Sequence, residues 1–260
     1  MTIIDQKNLG KVKKYFNINF EFDQKVVDSI IMDHIANKKP GYVCSLDGNN
    51  LAVAQTNAEH LDIINDSIVN NCDSSWIPVI INAIYHTDYS NYCGTDLFIY
   101  YIKMKKYRQF FLGSTQEVLS RLKDNLSKID PNIQNMVFET LPFRSVEDFD
   151  YKGIAKMINQ DEPDIIWVSL GAPKQEKFMK LLLPYLNKGV MFGFGAIFNV
   201  YAKMPGFKRA PKLMVNLKLE WLYRLIQEPK KQFKRIALLF KLLPYLIKSE
   251  FKNMQDKRSI

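Results

Sequence analysis

Four stretches of the chain share one order of residues: a short apolar run, a small or polar cluster, then apolar positions at helical spacing. Residues 51–54 (LAVA) lead into Gln55, Thr56 and Asn57 and then a helix start. Residues 109–112 lead into Gly113, with Ser114 or Thr115 suited to cap a helix and Glu117 to its first turn. The run IIWVSL stops at Gly171, and Ala-Pro-Lys-Gln-Glu opens the next helix, where Pro173 suits the first position. Residues 189–202 (GVMFGFGAIFNVYA) hold a fourth strand that ends in glycines. Strands alternating with helices predict an α/β fold, a Rossmann-like, mainly parallel sheet covered by helices. Ligands of such sheets sit outside the carboxyl ends of the strands, where all four polar clusters fall.

The flanks read differently. FEFDQKVVDSIIMDHIANKK predicts a helix, and GYVCSLDGNNLAVAQT a hairpin into the first core strand. Beyond residue 204 the chain is helical in period, basic and aromatic, and Pro205, Pro211, Pro229 and Pro244 divide it into short helices. The division expected is therefore 1–203 as the α/β domain and 204–260 as a basic, amphipathic helical appendage. Residues 230–252 set lysines and an arginine beside Phe233, Ile236, Leu239, Phe240, Leu243, Tyr245 and Ile247. That pattern suits a helix lying on a membrane surface, and equally a helix packed on the body of the protein or on a partner subunit.

Charge sharpens this division. The net charge is +9, yet residues 203–260 hold fifteen Lys/Arg against four Asp/Glu, a local +11 that leaves the first 202 residues at −2. A localised basic segment suits phosphate-bearing partners: nucleic acid, anionic lipid or a diphosphate substrate. An apolar content of 47% excludes global disorder. The three cysteines are widely spaced, and residues 1–16 lack the apolar run of an export signal, which predicts a reduced, cytoplasmic setting.

Candidate chemistry gathers at the strand ends. Gly171, Lys174, Gln175 and Glu176 lie where a helix N-terminus offers unpaired N–H groups to an anion, or where Glu176 simply caps a solvated helix. Lys174 there opposes the helix dipole unless an anion is near. Asp73, before two serines, suits a cap or turn, or a general base. Asn57, with Glu59 and His60, suits a turn or the fixing of a sugar hydroxyl. Arg209 and Arg224 are the cationic candidates for a diphosphate. The histidines show no metal-ligand spacing, and no GxxxxGK[ST], GxGxxG or GxSxG motif is present; GFGAIF lacks the third glycine. The DFD of residues 148–150 matches a three-letter metal motif only, in a segment that reads as linker.

IIWVSLGAPKQEKFM, GFGAIFNVYA, KRAPKLM and LEWLYRLIQEPKK follow one another in an order that resembles the WecG/TagA/CpsF glycosyltransferases, family 26. GTDLF, FFLGS and LPF support the resemblance, which runs from AVAQTNAEHL to QEPKK. It implies a metal-independent, inverting hexosyltransferase without cofactor, moving an N-acetylmannosamine-type or related sugar from a UDP-sugar to a polyprenyl-diphosphate-linked acceptor. The setting implied is the cytoplasmic membrane face, during assembly of teichoic acid, capsule or related polysaccharide. The resemblance places the catalytic base at Asp73 and substrate contacts at Gln55, Thr56, Asn57, Gly171, Lys174, Gln175 and Glu176. Gln55 stands where the family has a threonine. Arg209 and Arg224 match the arginines with which the appendage closes over the site, and homo-oligomerisation is a further expectation. Two other classes fit the basic tail or the Gln55 departure: a nucleic-acid-binding protein and a catalytically idle assembly partner. The many apolar residues of the tail argue against a nucleic-acid groove.

Overall fold

A computed structural model describes residues 13–258. Residues 1–12, which carry most of the stretch read as lacking an export signal, lie outside the described residues. The described residues open with a hairpin, β1 (Lys13–Tyr15) and β2 (Ile18–Phe20), turned by Phe16 and Asn17 at positive φ. Helix α1 (Gln24–Ala36) follows, then β3 (Gly41–Leu46), α2 (Gly48–Thr56), α3 (Ala58–Asn65), β4 (Val69–Cys72), α4 (Ile77–Tyr85) and α5 (Gly94–Met104). Next come β5 (Gln109–Gly113), α6 (Gln116–Ser127), β6 (Val137–Glu139), α7 (Tyr151–Asp161), β7 (Ile165–Ser169), α8 (Lys174–Leu182), β8 (Val190–Gly193) and α9 (Gly195–Tyr201). Helices α10 (Lys212–Asn216), α11 (Glu220–Gln227) and α12 (Pro229–Arg258) complete it.

The expected sheet is present: six strands in the order β4-β3-β8-β7-β5-β6, every neighbouring pair parallel. Its strands are apolar because both faces are covered. In β7, Ile166 and Val168 join the core on one face, while Ile165 and Trp167 join the core on the other. Trp167 is fully buried among Phe98, Phe192 and Phe194, and its indole N–H donates to Gln109 Oε1 at 2.7 Å. Trp167→Phe should cost about 1–3 kcal/mol in a denaturant titration, since the buried Gln109 oxygen loses its donor.

Two expectations are corrected. Residues 51–54 form part of α2, and the first core strand is 41–46. Asp47 caps that helix by accepting from Asn50 N at 2.9 Å, and Leu51, Ala52 and Ala54 face the core on helical spacing. Pro244 does not divide the tail. It lies exposed inside the 30-residue α12, whose packing against α2 and α4 carries the helix past the missing N–H. Of the other prolines, Pro229 opens α12 and Pro211 precedes α10, as punctuation predicts.

The far end of α12 is fastened to the start of the chain. Glu250, 2% exposed, accepts from the Phe16 N–H at 2.6 Å and the Tyr85 hydroxyl at 2.5 Å. The outward face of α12 carries exposed Phe233, Phe240 and Tyr245 among lysines.

Candidate active site

The carboxyl ends of five parallel strands meet at one polar chamber of about 320 Å³. Ser45 and Asp47 come from the end of β3, Asp73 from β4, Ser114 from β5, Ser169 from β7 and Gly193 from β8. Asp47, Asp73, Arg224 and Arg235 also border a second cavity of about 270 Å³. That cavity is a mostly apolar groove between α2, α4, α11 and α12, walled by Trp76, Ile77, Trp221, Ile236, Leu239 and Leu243. Two carboxylates and two guanidinium groups thus stand where a polar chamber opens onto an apolar groove.

Asp73 is held by its neighbours on both sides. Its backbone N–H donates to Leu46 O at 3.0 Å, and its Oδ1 accepts from Gly94 N at 2.7 Å. The Gly94 bond fixes one oxygen and turns the carboxylate toward the cavities. Arg224 is exposed in the cleft and faces Asp73, Asp47 and Glu220; partial desolvation by the cleft walls opposes its charge, but the carboxylates outweigh it and hold the guanidinium more firmly protonated than usual. Burial raises the pKa of Glu220, Asp73 adds to this, and Arg224 and Arg209 oppose it. Arg235 comes from α12 and donates to Ala172 O at 3.2 Å, linking that helix to the turn after β7.

Several expected residues take other posts. Gln55, Thr56 and Asn57 were expected at a strand end and sit at the junction of α2 and α3, outside the walls of both cavities. Gln55 Nε2 donates to Phe16 O at 2.8 Å, Thr56 Oγ1 to the carbonyls of Ala52 and Val53, and Asn57 Oδ1 caps α3 at His60 N. Lys174 lies outside the chamber wall: its ammonium donates to Arg144 O and lies over the rings of Phe143 and Phe149. Glu176 does not cap a solvated helix but is 1% exposed, beneath the chamber. Arg209 pairs with Asp96 at 2.6 Å on a neighbouring polar hollow, and Asp150 caps α7 at Gly153 N.

Gly171 and Gln175 do line the chamber, alongside Asp73 and Arg224. Sequence reasoning missed Asp47, Ser45 and Arg235. The first two carried a signal, since Asp-Gly directly follows the apolar run YVCSL; Arg235 carried none beyond its charge. Among the described residues, no group of three or more His, Cys, Asp or Glu side chains could hold a metal ion. No helix of the described residues is long and apolar enough to cross a membrane.

A doubly covered parallel sheet, with carboxylates at its strand ends, guanidinium groups brought to them by α11 and α12, and an apolar groove beside them, is an α/β architecture with a cleft suited to an anionic, partly apolar ligand. The chain belongs to the glycosyl transferase WecG/TagA/CpsF family, whose profile matches residues 15–257. It is similar to the N-acetylglucosaminyldiphosphoundecaprenol N-acetyl-β-D-mannosaminyltransferase of Bacillus subtilis strain 168, at 29% identity over 84% of this chain and 83% of that protein. The protein of the same description from Staphylococcus aureus strain MW2 is 25% identical, over 100% of this chain and 98% of its own length.

Proposed function

We propose that the chain transfers an N-acetylmannosamine-type hexose, with inversion, from a UDP-sugar to a polyprenyl-diphosphate-linked N-acetylglucosamine acceptor. The observation that carries this reading is the place of Asp73 and Arg224, at the border between the polar chamber and the apolar groove. The chamber suits a nucleotide-sugar: serine hydroxyls and glycine turns at the strand ends, with Arg224 and Arg235 for the diphosphate. The groove suits the first isoprene units of the acceptor, and Trp221, whose indole N–H has no partner among the described residues, offers a donor at its wall.

In this arrangement Asp73 takes the proton from the acceptor hydroxyl as that oxygen attacks the anomeric carbon from the face opposite UDP. The sugar–phosphate bond breaks, and the charge gathering on UDP is met by Arg224 and Arg235. The Gly94 N–H keeps Asp73 aimed through the step. Screening UDP-sugars for UDP release with an N-acetylglucosaminyl-diphosphate-polyprenol tests the reading. Acceptor-dependent release with a UDP-N-acetylhexosamine supports it, and no release with any donor sinks it.

The same reading places the protein on the cytoplasmic membrane face. Ile226 on α11 and Phe233 and Phe240 on the basic α12 are exposed, at 68%, 68% and 60%, beside the groove. This is the make-up of a surface that lies in the lipid headgroups. Replacing Phe233 and Phe240 with serine should lower the partition coefficient onto anionic vesicles by about a hundredfold or more, because each buried ring contributes about 1.5–3 kcal/mol. Sedimentation equal to that of the unaltered chain would remove this face from membrane binding.

A further inference from the structure

Gln175 has no hydrogen-bonding capacity left for a substrate. Its Oε1 accepts from Gly171 N and from Gly195 N, each at 3.1 Å. Its Nε2 donates to Gly193 O at 2.7 Å and to Glu176 Oε1 at 3.1 Å. A side-chain amide has two donors and two acceptor sites, and all four are used. The bonds join the turn after β7 to the turn after β8, both of which line the chamber. The two turns touch directly: a Cβ on Gly195 would stand 2.7 Å from Gly171 N. The glycines of GFGAIF therefore serve this close approach rather than a dinucleotide fingerprint.

Glu176 sets which way that amide points. A flipped Gln175 would turn its oxygen onto Gly193 O and Glu176 Oε1, and its NH₂ onto two N–H groups. The second Glu176 oxygen has no partner among the described residues, and no cation faces it. Asp47 and Asn50 stand near it from the start of α2, Cys44 from β3, and His60 of α3 is bonded to Asn50 Oδ1 at 3.2 Å. Lys177 is engaged at the surface by Glu59 and Glu147, Lys180 by Asp66, and Tyr151 of α7 packs on Phe178. A carboxylate ion in such a place would be buried without a counter-charge.

We propose that Gln175 is a positioning residue that staples the two glycine turns of the donor chamber, and that Glu176 is its lock. As the neutral acid it orients the amide; as the ion it opposes a diphosphate bound above it. This rests on the donor placement proposed above. Burial pushes the Glu176 carboxyl up to about 7, against the hydrogen bond from Gln175. Burial lowers His60 to about 4, so the imidazole is neutral across the same range. If only the acid form is competent, about one tenth of the protein remains so at pH 8, and apparent affinity falls about tenfold from pH 6.

The test is calorimetric binding of UDP-N-acetylmannosamine from pH 5.5 to 8.5, whose diphosphate diester has no proton to lose in that range. The unaltered protein should bind about tenfold more weakly at pH 8 than at pH 6. Glu176→Gln, a neutral isostere that still presents an acceptor to Gln175, should bind with the pH 6 affinity throughout. Gln175→Glu should bind poorly at every pH. A flat profile for the unaltered protein, or an unchanged slope in Glu176→Gln, overturns the lock. Melting curves without ligand separate the two layers of the argument. The folded chain keeps a proton that an unfolded glutamate loses near pH 4.5, so stability falls, relative to Glu176→Gln, as pH rises from about 5 to 8. That divergence without donor binding at any pH sinks the donor placement and spares the buried acid; its absence sinks the lock itself.

Discussion

Asp73→Asn is expected to lower sugar transfer by about 10²–10⁴-fold, the usual contribution of a positioned general base. Asparagine keeps the size of the side chain and can still accept from Gly94 N, so the end of β4 stays in place and donor affinity should change less than about threefold. The loss should therefore fall on kcat, because only proton removal in the transition state is missing. Single-turnover assays with saturating donor, alongside donor binding, check both halves. Asp47 lines the same border and is the natural control: Asp47→Asn keeps the cap of α2 and should retain more turnover. Equal activity of Asp73→Asn and the unaltered chain would remove Asp73 from the chemistry, and a larger loss in Asp47→Asn would move the base to β3.

Glu250→Ala carries the largest expected change in stability. It removes a buried carboxylate that accepts from the Phe16 N–H and the Tyr85 hydroxyl; Phe16 N loses its side-chain acceptor, while Tyr85 keeps the backbone carbonyl of residue 250 at 3.3 Å. Losing two hydrogen bonds to a carboxylate costs about 3–5 kcal/mol. For a chain of this size, 3 kcal/mol lowers Tm by roughly 6–12 °C. Differential scanning calorimetry reads it directly. Because α12 also supplies Arg235 to the border of the cavities, activity at temperatures well below Tm should fall as well. An unchanged Tm would mean that the far end of α12 is held by its apolar face alone.

Much of the sheet is legible in the chain because its strands are buried on both faces. Runs such as FFL, IIWVS and VMF, closed by glycine or serine, leave little alternative to a central parallel strand. The stretch from 41 to 56 is harder, because two apolar runs lie ten residues apart and either could be the strand. The Asp47 cap decides it: an acid directly after YVCSL, with apolar positions at helical spacing beyond, ends a strand and starts a helix. Taking the second run as the strand carried Gln55, Thr56 and Asn57 to the wrong end of α2. Gly171 was legible since it ends an apolar run; Asp73 follows Asn70, Asn71 and Cys72, and only the family resemblance singled it out. Gln175 was legible as a residue of the site but not as a staple, because Gly193 and Gly195 lie in the turn after β8, which only the folded sheet brings back to it. Arg235 was beyond reach for the same reason: its partner Ala172 is far away in sequence, and a lysine-rich helix gives no sign of which cation turns inward. The tail pattern left membrane face and packing face as alternatives, and α12 has one apolar side against the body and another exposed.

The link between Phe16 and Glu250 has a consequence for biosynthesis. The parallel sheet is complete once β8 has been made, but Arg224 and Arg235 belong to helices translated afterwards, and the α12 anchor is made later still. A ribosome-bound chain can therefore hold a finished sheet while both cavities still lack a wall. The site is assembled only when the residues around Glu250 have emerged and reached back to the β1–β2 hairpin, so premature termination within α12 would leave the cleft unfinished and the core without Leu246.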